Sequence, residues 1–215
     1  MNNQKSILVF LFLLIQMSIF SQTRVCFDVK GGSAIIPDFT FQYEAKTYQG
    51  QTINADPLED GDCWLMTYPG LDPNQIKEVN ITTSYDQDPL NGVTTYDMVV
   101  IARHIVGIDN EDCDIEEEIL KIIASDVNNS GTVTTFDLVQ LRQLILYIIT
   151  DFPNNESWRF LNGNRLTELA NDPDLEPNDI YSQNHDLSLK YLAQDLQTEI
   201  SIAAYKIADV NGYCN

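Results

Sequence analysis

Short runs in which apolar and polar residues alternate dominate the chain up to about Tyr85. Because successive side chains of a strand point to opposite faces, these runs predict β-strands. The predicted strands are Val25–Val29, Phe39–Tyr43, Cys63–Tyr68 and Val79–Thr83. Gly-Gly, Asp-Pro, Asp-Gly and Pro-Gly pairs between the runs mark turns. The pattern therefore predicts a small antiparallel β-sandwich over residues 22–85.

From about residue 86 the apolar residues recur with the period of a helix. Three- and four-residue spacings run through Asp97–Ile108, Ile115–Ser125 and Asp137–Ile149, which predicts three amphipathic helices. Glu116–Glu118 suit the first turn of the middle helix, where the helix dipole favours negative charge. Farther on, residues 171–178 predict an acidic loop, Lys190–Thr198 a short helix and Ile200–Ile207 a strand.

Two stretches repeat each other at a spacing of 40 residues. Asp86–Asp97 aligns with Asp126–Asp137 without a gap, and the match continues into the helix that follows each stretch. Besides Asp86/Asp126 at position 1, the identical pairs are Val93/Val133, Thr94/Thr134, Thr95/Thr135, Asp97/Asp137, Val99/Val139, Ile105/Ile145 and Ile108/Ile148. Such an internal repeat indicates two copies of one supersecondary unit.

The second copy, which we call loop two, has the spacing of an EF-hand-type calcium loop. Oxygen-bearing side chains stand at positions 1, 3, 5, 9 and 12, and position 7 offers its backbone carbonyl. The predicted Ca²⁺ ligands are Asp126, Asn128, Ser130, Thr132, Thr134 and Asp137. Gly131 at position 6 permits a positive-φ turn. A surface turn rich in Asp, Asn, Ser and Gly is the alternative, and the repeat favours calcium.

The first copy, which we call loop one, is a weaker match. Its predicted ligands are Asp86, Asp88, Thr94 and Asp97. Leu90 stands at position 5, where a side-chain oxygen is expected, and Asn91 replaces the glycine of position 6. Asparagine tolerates the left-handed conformation better than most residues, so we expect the turn to survive. We expect loop one to bind calcium more weakly than loop two, because it lacks a ligand.

These loops resemble the type I dockerin family. Each has aspartate at position 12, and the strand-like Val79–Tyr85 makes the first unit a loop followed by a helix. Pro89–Asp97, Phe152–Phe160 and Tyr205–Gly212 are similar to segments of dockerin-like modules in large secreted Bacteroidetes proteins. A carboxypeptidase-regulatory-like (transthyretin-like) sandwich often precedes such modules. The resemblance thus implies an α+β chain: an antiparallel β-sandwich (22–85), then a dockerin-like pair of calcium loop-helix repeats (86–215).

The resemblance also implies a secreted, non-enzymatic module for extracellular or cell-surface assembly, linked to polysaccharide degradation. Its partner would be a cohesin-like or other surface protein. Cohesin-binding dockerins commonly carry a Ser-Thr-like recognition pair at positions 10 and 11, whereas this chain has Thr95-Tyr96 and Thr135-Phe136. We expect these two aromatic residues to pack into the core rather than to form a new recognition surface.

A carbohydrate-binding module that uses the sandwich is the alternative function. Trp64, Tyr68 and Trp158 either form a sugar-stacking platform or belong to the core, which is the commoner outcome. An accessory enzyme is a third possibility, but the sequence contains no Ser/His/Asp or Cys/His grouping, phosphate-binding glycine loop or HExxH motif. We therefore predict no enzymatic activity.

Asp209–Gly212 repeats the start of a calcium loop and then stops. Its carboxylate either completes a site or only turns the chain, and the sequence leaves both interpretations open.

The formal net charge of −20 argues against nucleic acid or an anionic membrane as partner. Residues 1–21 carry Lys5 and then an apolar run that ends before Ser21, which predicts a signal peptide and export. Since no second apolar run of spanning length exists, the mature chain is predicted not to be membrane-embedded.

Four cysteines in an exported chain suggest two disulfides, with three possible connectivities. Cys26 and Cys63 lie on two predicted strands and are suited to staple the sandwich. In the dockerin-like modules the last residues return to the first loop. The resemblance therefore implies a Cys113–Cys214 pair that ties the linker between the repeats to the end of the chain.

Overall fold

The computed structural model describes residues 22–30, 39–61, 63–68, 71, 73–85, 88–108, 113–172, 188–192, 196 and 199–213. The predicted signal peptide, Asp86 and Cys214 lie outside this part of the chain. The described residues form a mixed α+β fold with four α-helices and two mostly antiparallel sheets. This confirms the predicted α+β class.

The strands of the described residues are, in chain order, β1 (Gln22–Val29), β2 (Thr40–Thr47), β3 (Thr52–Ala55), β4 (Leu58–Asp60), β5 (Cys63–Thr67), β6 (Ile76–Ser84), β7 (Trp158–Asn162), β8 (Ser188–Leu192) and β9 (Ile200–Lys206). The α-helices are α1 (Thr95–Ile105), α2 (Ile115–Ser125), α3 (Thr135–Ile145) and α4 (Gly163–Ala170). A single 3₁₀ turn, Pro73–Gln75, precedes β6.

The strands form a five-stranded sheet of order β4-β5-β1-β9-β7 and a four-stranded sheet of order β3-β2-β6-β8. All strand pairs are antiparallel except β1 with β9, in which Val25 lies opposite Ile200. The alternation of apolar and polar residues that predicted the early strands is reflected in the burial of their side chains, as β2 shows. Phe41, Tyr43 and Ala45 of β2 are buried, whereas the residues between them are exposed or half-buried. The predicted Cys26–Cys63 disulfide joins β1 to β5, which confirms that pairing.

The sandwich is not confined to residues 22–85, because β7, β8 and β9 complete both sheets. Phe160 and Ala204 face the core between the sheets, whereas Leu161 and Ala203 face a second core shared with the helices. Strands β7 and β9 are therefore buried on both faces. The polar residues Arg159 and Lys206 of these strands are buried as well, so neither strand shows the exposed polar positions that usually mark a strand with one solvent face.

The predicted helix over Lys190–Thr198 is wrong where the structure describes it. Residues 190–192 belong to β8, which pairs with β6. Leu189 and Tyr191 are buried, and Lys190 and Leu192 between and after them are exposed, the period of a strand. Residues 193–195, 197 and 198 lie outside the described part, as do 173–178 of the predicted acidic loop.

The three predicted helices are present as α1, α2 and α3, and α4 was not predicted. Helices α1 and α3 have matching ends. Thr94 and Thr134 are the N-caps of capping boxes, and each helix closes on a positive-φ residue, Gly107 (70°) or Tyr147 (55°). The 40-residue repeat is thus also a repeat of local structure. No helix among the described residues has both the length and the apolar character that crossing a membrane requires.

Candidate metal centre

Loop two joins the end of α2 to the start of α3, and its first residue folds the loop back on itself. Oδ1 of Asp126 accepts a hydrogen bond from the N–H of Ser130 (2.9 Å), and Oδ2 accepts one from the N–H of Gly131 (2.8 Å). Gly131 has the predicted positive φ, 82°. The carboxylate at position 1 therefore organises positions 5 and 6 around itself.

The last residue of loop two closes it from the other side. Oδ2 of Asp137 accepts a hydrogen bond from the N–H of Thr134 (2.7 Å), and Oδ1 accepts one from the N–H of Asn128 (3.0 Å). The first bond belongs to the capping box of α3. Capping alone does not explain the second bond, which draws position 3 of the loop to position 12.

The remaining predicted ligands join the same network. The Ser130 hydroxyl donates to the backbone carbonyl of Thr132 at 3.0 Å. Oδ1 of Asn128 is buried and has no hydrogen-bond partner among the described residues. Leaving a buried acceptor unsatisfied costs about 1–3 kcal/mol. The structure thus brings all six predicted ligands of loop two together, and one of them presents an oxygen that lacks a partner.

The two carboxylates of loop two have no directly bonded counter-charge among the described residues, since Arg159, which lines the same cavity as Asp126, donates to Asn129 and Asn155 instead. Asp126 is 4% exposed and Asp137 fully buried, and their donors among the described residues are uncharged N–H and O–H groups. Burial raises the pKa of Asp126, and the negative charge of Asp137 raises it further. Since burying ionised carboxylates without a counter-charge is unfavourable, a cation suits this place.

The chemistry of the donors fits calcium rather than a softer metal. No group of three or more His, Cys, Asp or Glu side chains suited to a metal occurs among the described residues. Loop two instead combines two carboxylates with amide, hydroxyl and carbonyl oxygens. Such an all-oxygen set is typical of Ca²⁺ sites.

Asn155 and Arg159, which were not predicted from the sequence, connect loop two to the sheet and brace it. The Asn155 side-chain amide donates to the backbone carbonyls of Asp126 (3.0 Å) and Val127 (3.2 Å). Arg159 of β7 donates to the side-chain oxygens of Asn155 (2.8 Å) and Asn129 (3.2 Å). A cavity of about 160 Å³ lies between this brace and the loop. Both residues fall in Phe152–Phe160, where the dockerin resemblance was a signal that could have found them.

Loop one is built differently from its prediction. Asp88 is exposed, and its carboxylate accepts a hydrogen bond from the N–H of Leu90 (3.1 Å). The residue with positive φ is Gly92 (80°), so the expectation that Asn91 makes this turn is wrong. Since Asn91 is a strained choice for that conformation, the turn moves one residue to the neighbouring glycine.

The other predicted ligands of loop one lie at the start of α1. Asp97 is fully buried, and Oδ2 accepts hydrogen bonds from the N–H (2.7 Å) and hydroxyl (2.8 Å) of Thr94. Its Oδ1 accepts from the N–H groups of Val210 (2.8 Å) and Asn211 (3.0 Å). The structure therefore keeps Asp97 and Thr94 together, and the half-loop at Asp209–Gly212 joins them.

The expectation that Tyr96 and Phe136 pack into the core is wrong, because they are 58% and 73% exposed. Each capping box turns its position-11 side chain outward at the first helical turn. Further exposed apolar residues follow at matching positions of the two copies: Val99/Val139, Val106/Leu146 and Ile108/Ile148. We call these eight residues the repeated apolar stripes. In contrast, Tyr68 and Trp158 are each 2% exposed and belong to the sandwich core, where the half-buried Trp64 also packs.

The sequence and the structure were also compared with known proteins. No protein-family model, no curated protein and no solved structure matches this chain.

Proposed function

We propose that this protein is a secreted, non-enzymatic calcium-binding module that docks a protein partner in extracellular or cell-surface assembly. The observation that carries the proposal is loop two, where two buried carboxylates have only uncharged donors and the buried oxygen of Asn128 has no partner. A hard cation with oxygen ligands meets all three requirements at once.

In this proposal Asp126, Asn128, Ser130, Thr134 and Asp137 hold the ion with side-chain oxygens, and Thr132 with its backbone carbonyl. Calcium supplies positive charge and a fixed coordination shell. Loop two directly joins α2 to α3, so fixing the loop fixes the direction in which α3 leaves it. At a calcium concentration 100 times the dissociation constant, binding adds about 2.7 kcal/mol to the free energy of unfolding.

The repeated apolar stripes support a protein partner. Within α1, Tyr96 and Val99 are three residues apart and lie on one face of the helix, and Phe136 and Val139 do the same in α3. All four side chains are more than half exposed. Large exposed apolar side chains arranged along one face are typical of interaction sites. The strongly negative chain does not suit nucleic acid or an anionic membrane.

Calcium titration of the mature chain tests the proposal. We expect isothermal titration calorimetry to detect binding, and calcium to raise the melting temperature by about 5–10 °C at 100 times the dissociation constant. Asp137→Asn should abolish the tighter binding event. Asp151→Asn, which changes an exposed acid beyond α3, is the matched control and should bind as the wild type does. Absence of heat and of a thermal shift at millimolar calcium would overturn the proposal.

A further inference from the structure

Residues 209–211 lie against the carboxylate of Asp97, more than a hundred positions earlier in the chain. The N–H groups of Val210 and Asn211 donate to its Oδ1, and the Asn211 side-chain amide donates to its Oδ2 at 3.3 Å. Asp209 and Val210 are fully buried. The described end of the chain is therefore packed into the first loop rather than lying on the surface.

The same arrangement occurs inside loop two. There the N–H of Asn128 donates to Oδ1 of Asp137 at 3.0 Å, the distance at which the N–H of Asn211 meets Oδ1 of Asp97. The sequences also agree, because Asp126-Val127-Asn128 and Asp209-Val210-Asn211 are identical. Relative to the aspartate at position 12, residues 209–211 thus occupy the place that residues 126–128 occupy in loop two.

The equivalence extends to burial and to the surrounding chain. Val127 and Val210 are both fully buried in the helical core. The two segments lie side by side, since the N–H of Ala208 donates to the carbonyl of Ala124 at 2.9 Å. The two position-12 aspartates lie in the first turns of α1 and α3 and belong to matching capping boxes. Two structurally equivalent half-sites therefore lie next to each other.

Asp88, the described residue at position 3 of the contiguous loop one, does not occupy that place. Asp88 is exposed and caps its own turn at Leu90. Its neighbour Pro89 is held by Lys206, whose ammonium group donates to the Pro89 carbonyl at 2.9 Å and to the Ser157 hydroxyl at 2.5 Å. The position beside Asp97 is consequently filled by Val210 and Asn211.

The segment around Asp97 also contains two buried carboxyl groups, and here the buried ammonium group of Lys206 interacts electrostatically with Asp209. Asp97 is fully buried, and its hydrogen-bond donors, which come from Thr94, Val210 and Asn211, are all uncharged. Asp209 brings a second fully buried carboxyl group to this segment. Its position in the sequence match is that of Asp126, the first ligand of loop two.

We propose that Asp209 and Asn211 complete a second calcium site with Thr94 and Asp97, so that the first site is formed from two distant segments. This inference rests on the proposed function, because it assigns the ligands of the weaker of the two calcium sites. Asp209 takes position 1, Asn211 position 3, Thr94 position 9 and Asp97 position 12. Asp88 is not a ligand. Binding at this site fastens the segment after β9 to the start of α1.

Calorimetric stoichiometry of the mature chain distinguishes the split site from a contiguous one. The wild type should bind two calcium ions, Asp209→Asn only one, and Asp88→Asn, the matched loop-one control, two. The opposite result, one ion for Asp88→Asn and two for Asp209→Asn, would overturn the split site. A wild type that binds one ion, lost only in Asp137→Asn, would overturn this inference and leave the proposed function standing. Failure of the wild type to bind calcium would overturn both.

If Asp209→Asn does not fold, amide hydrogen exchange of the wild type tests the split calcium site instead. We expect calcium to slow exchange of the amides of Val210 and Asn211 as well as those of Asn128 and Ser130. In Asp137→Asn, calcium should still protect residues 209–211. Calcium protection confined to loop two, with none at residues 209–211, would contradict the split site.

Discussion

The side-chain amide of Asn155 donates a 3.0 Å hydrogen bond to the backbone carbonyl of Asp126, the first residue of loop two. A second bond from the same amide reaches the carbonyl of Val127 at 3.2 Å. Asn155 is itself held by Arg159, whose guanidinium donates to its side-chain oxygen at 2.8 Å. The loop is therefore positioned by the sheet as well as by its own residues.

Asn155→Ala should weaken calcium binding at loop two without removing any ligand. The loss of two bonds to the backbone leaves the start of the loop less well positioned. Replacing such supporting residues typically lowers metal affinity about 10- to 100-fold. Titration calorimetry measures the change. Asn164→Ala, at an exposed position of α4, is the matched control. An unchanged calcium affinity in Asn155→Ala would show that the hydrogen bonds from Asn155 do not contribute to positioning loop two.

Changing Tyr96 and Phe136 to Ser together should reduce partner binding and leave the fold intact. Both side chains are more than half exposed, so their loss should shift the free energy of unfolding by no more than about 0.5 kcal/mol. Removing a buried aromatic side chain from the centre of an interface typically costs about 2 kcal/mol or more of binding free energy. This cost corresponds to at least about a 30-fold loss of affinity for the partner.

The measurement is a quantitative mass-spectrometric pull-down from the native secretome, followed by affinity measurement with the purified partner. Tyr48→Ser is the control, because Tyr48 is 67% exposed at the turn after β2 and lies outside the repeated apolar stripes. Equal loss of binding in the control and in the double variant would contradict a docking role for the stripes.

Lys206 should make the folded protein gain stability as pH rises above 8. Burial lowers the pKa of this lysine from 10.5 to about 8, although the charges of Asp209 and Asp88 oppose the shift. Between these two values the unfolded chain binds more protons than the folded chain, so the free energy of unfolding increases with pH. The gain from pH 8 to 9.5 is about 2 kcal/mol.

Denaturant unfolding of the wild type and of Lys206→Met at several pH values measures this gain. The stability of the wild type relative to the variant should increase across that pH range. Lys46→Met is the control, since Glu44 raises rather than lowers the pKa of Lys46. A pH-independent difference between wild type and Lys206→Met would show that Lys206 does not titrate in this range.

Non-reducing peptide mapping should link Cys26 to Cys63 and Cys113 to Cys214. The structure contains the first bond, and Cys113 is disulfide-bonded as well. Cys214 lies outside the described residues, so the second pairing stays a prediction. It fits a chain in which Asn211 lies against loop one. A peptide that joins Cys113 to Cys26 would contradict it.

Local patterns predicted most of the regular structure. The alternation over Val79–Thr83 and the helical period over Ile115–Ser125 are confirmed by β6 and α2. Strands β7 and β9 pack against a core on each face, so Trp158–Asn162 lacks the alternation that marks a strand. In the first sheet β9 pairs with β1, which is distant in the sequence, and β7 pairs with β9. No local period predicts these pairings.

At the candidate metal centre, too, residues that are close in the sequence were predicted correctly to lie together, whereas a contact between distant residues was not predicted. The six predicted ligands of loop two lie within one contiguous stretch, and spacing alone predicted them. Loop one was predicted from its alignment with loop two, which assumes that position 3 precedes position 12 by nine residues. In the structure the residue that meets Asp97 is Asn211, 114 positions away. The identity of Asp209–Asn211 with Asp126–Asn128 was one signal of this arrangement in the sequence, and the dockerin resemblance, in which the last residues return to the first loop, was another.

The parallel pairing of β1 with β9 has a consequence for biosynthesis. The ribosome makes β1 first, yet β9, the strand that separates β1 from β7 in the sheet, is complete only when residue 206 has been made. Until then both neighbours have an unpaired edge, and exposed edges invite pairing with other chains. The sheet is therefore completed only after residue 206 has been translated. Products cut short before β9 are open sheets, which are targets for chaperones and proteases.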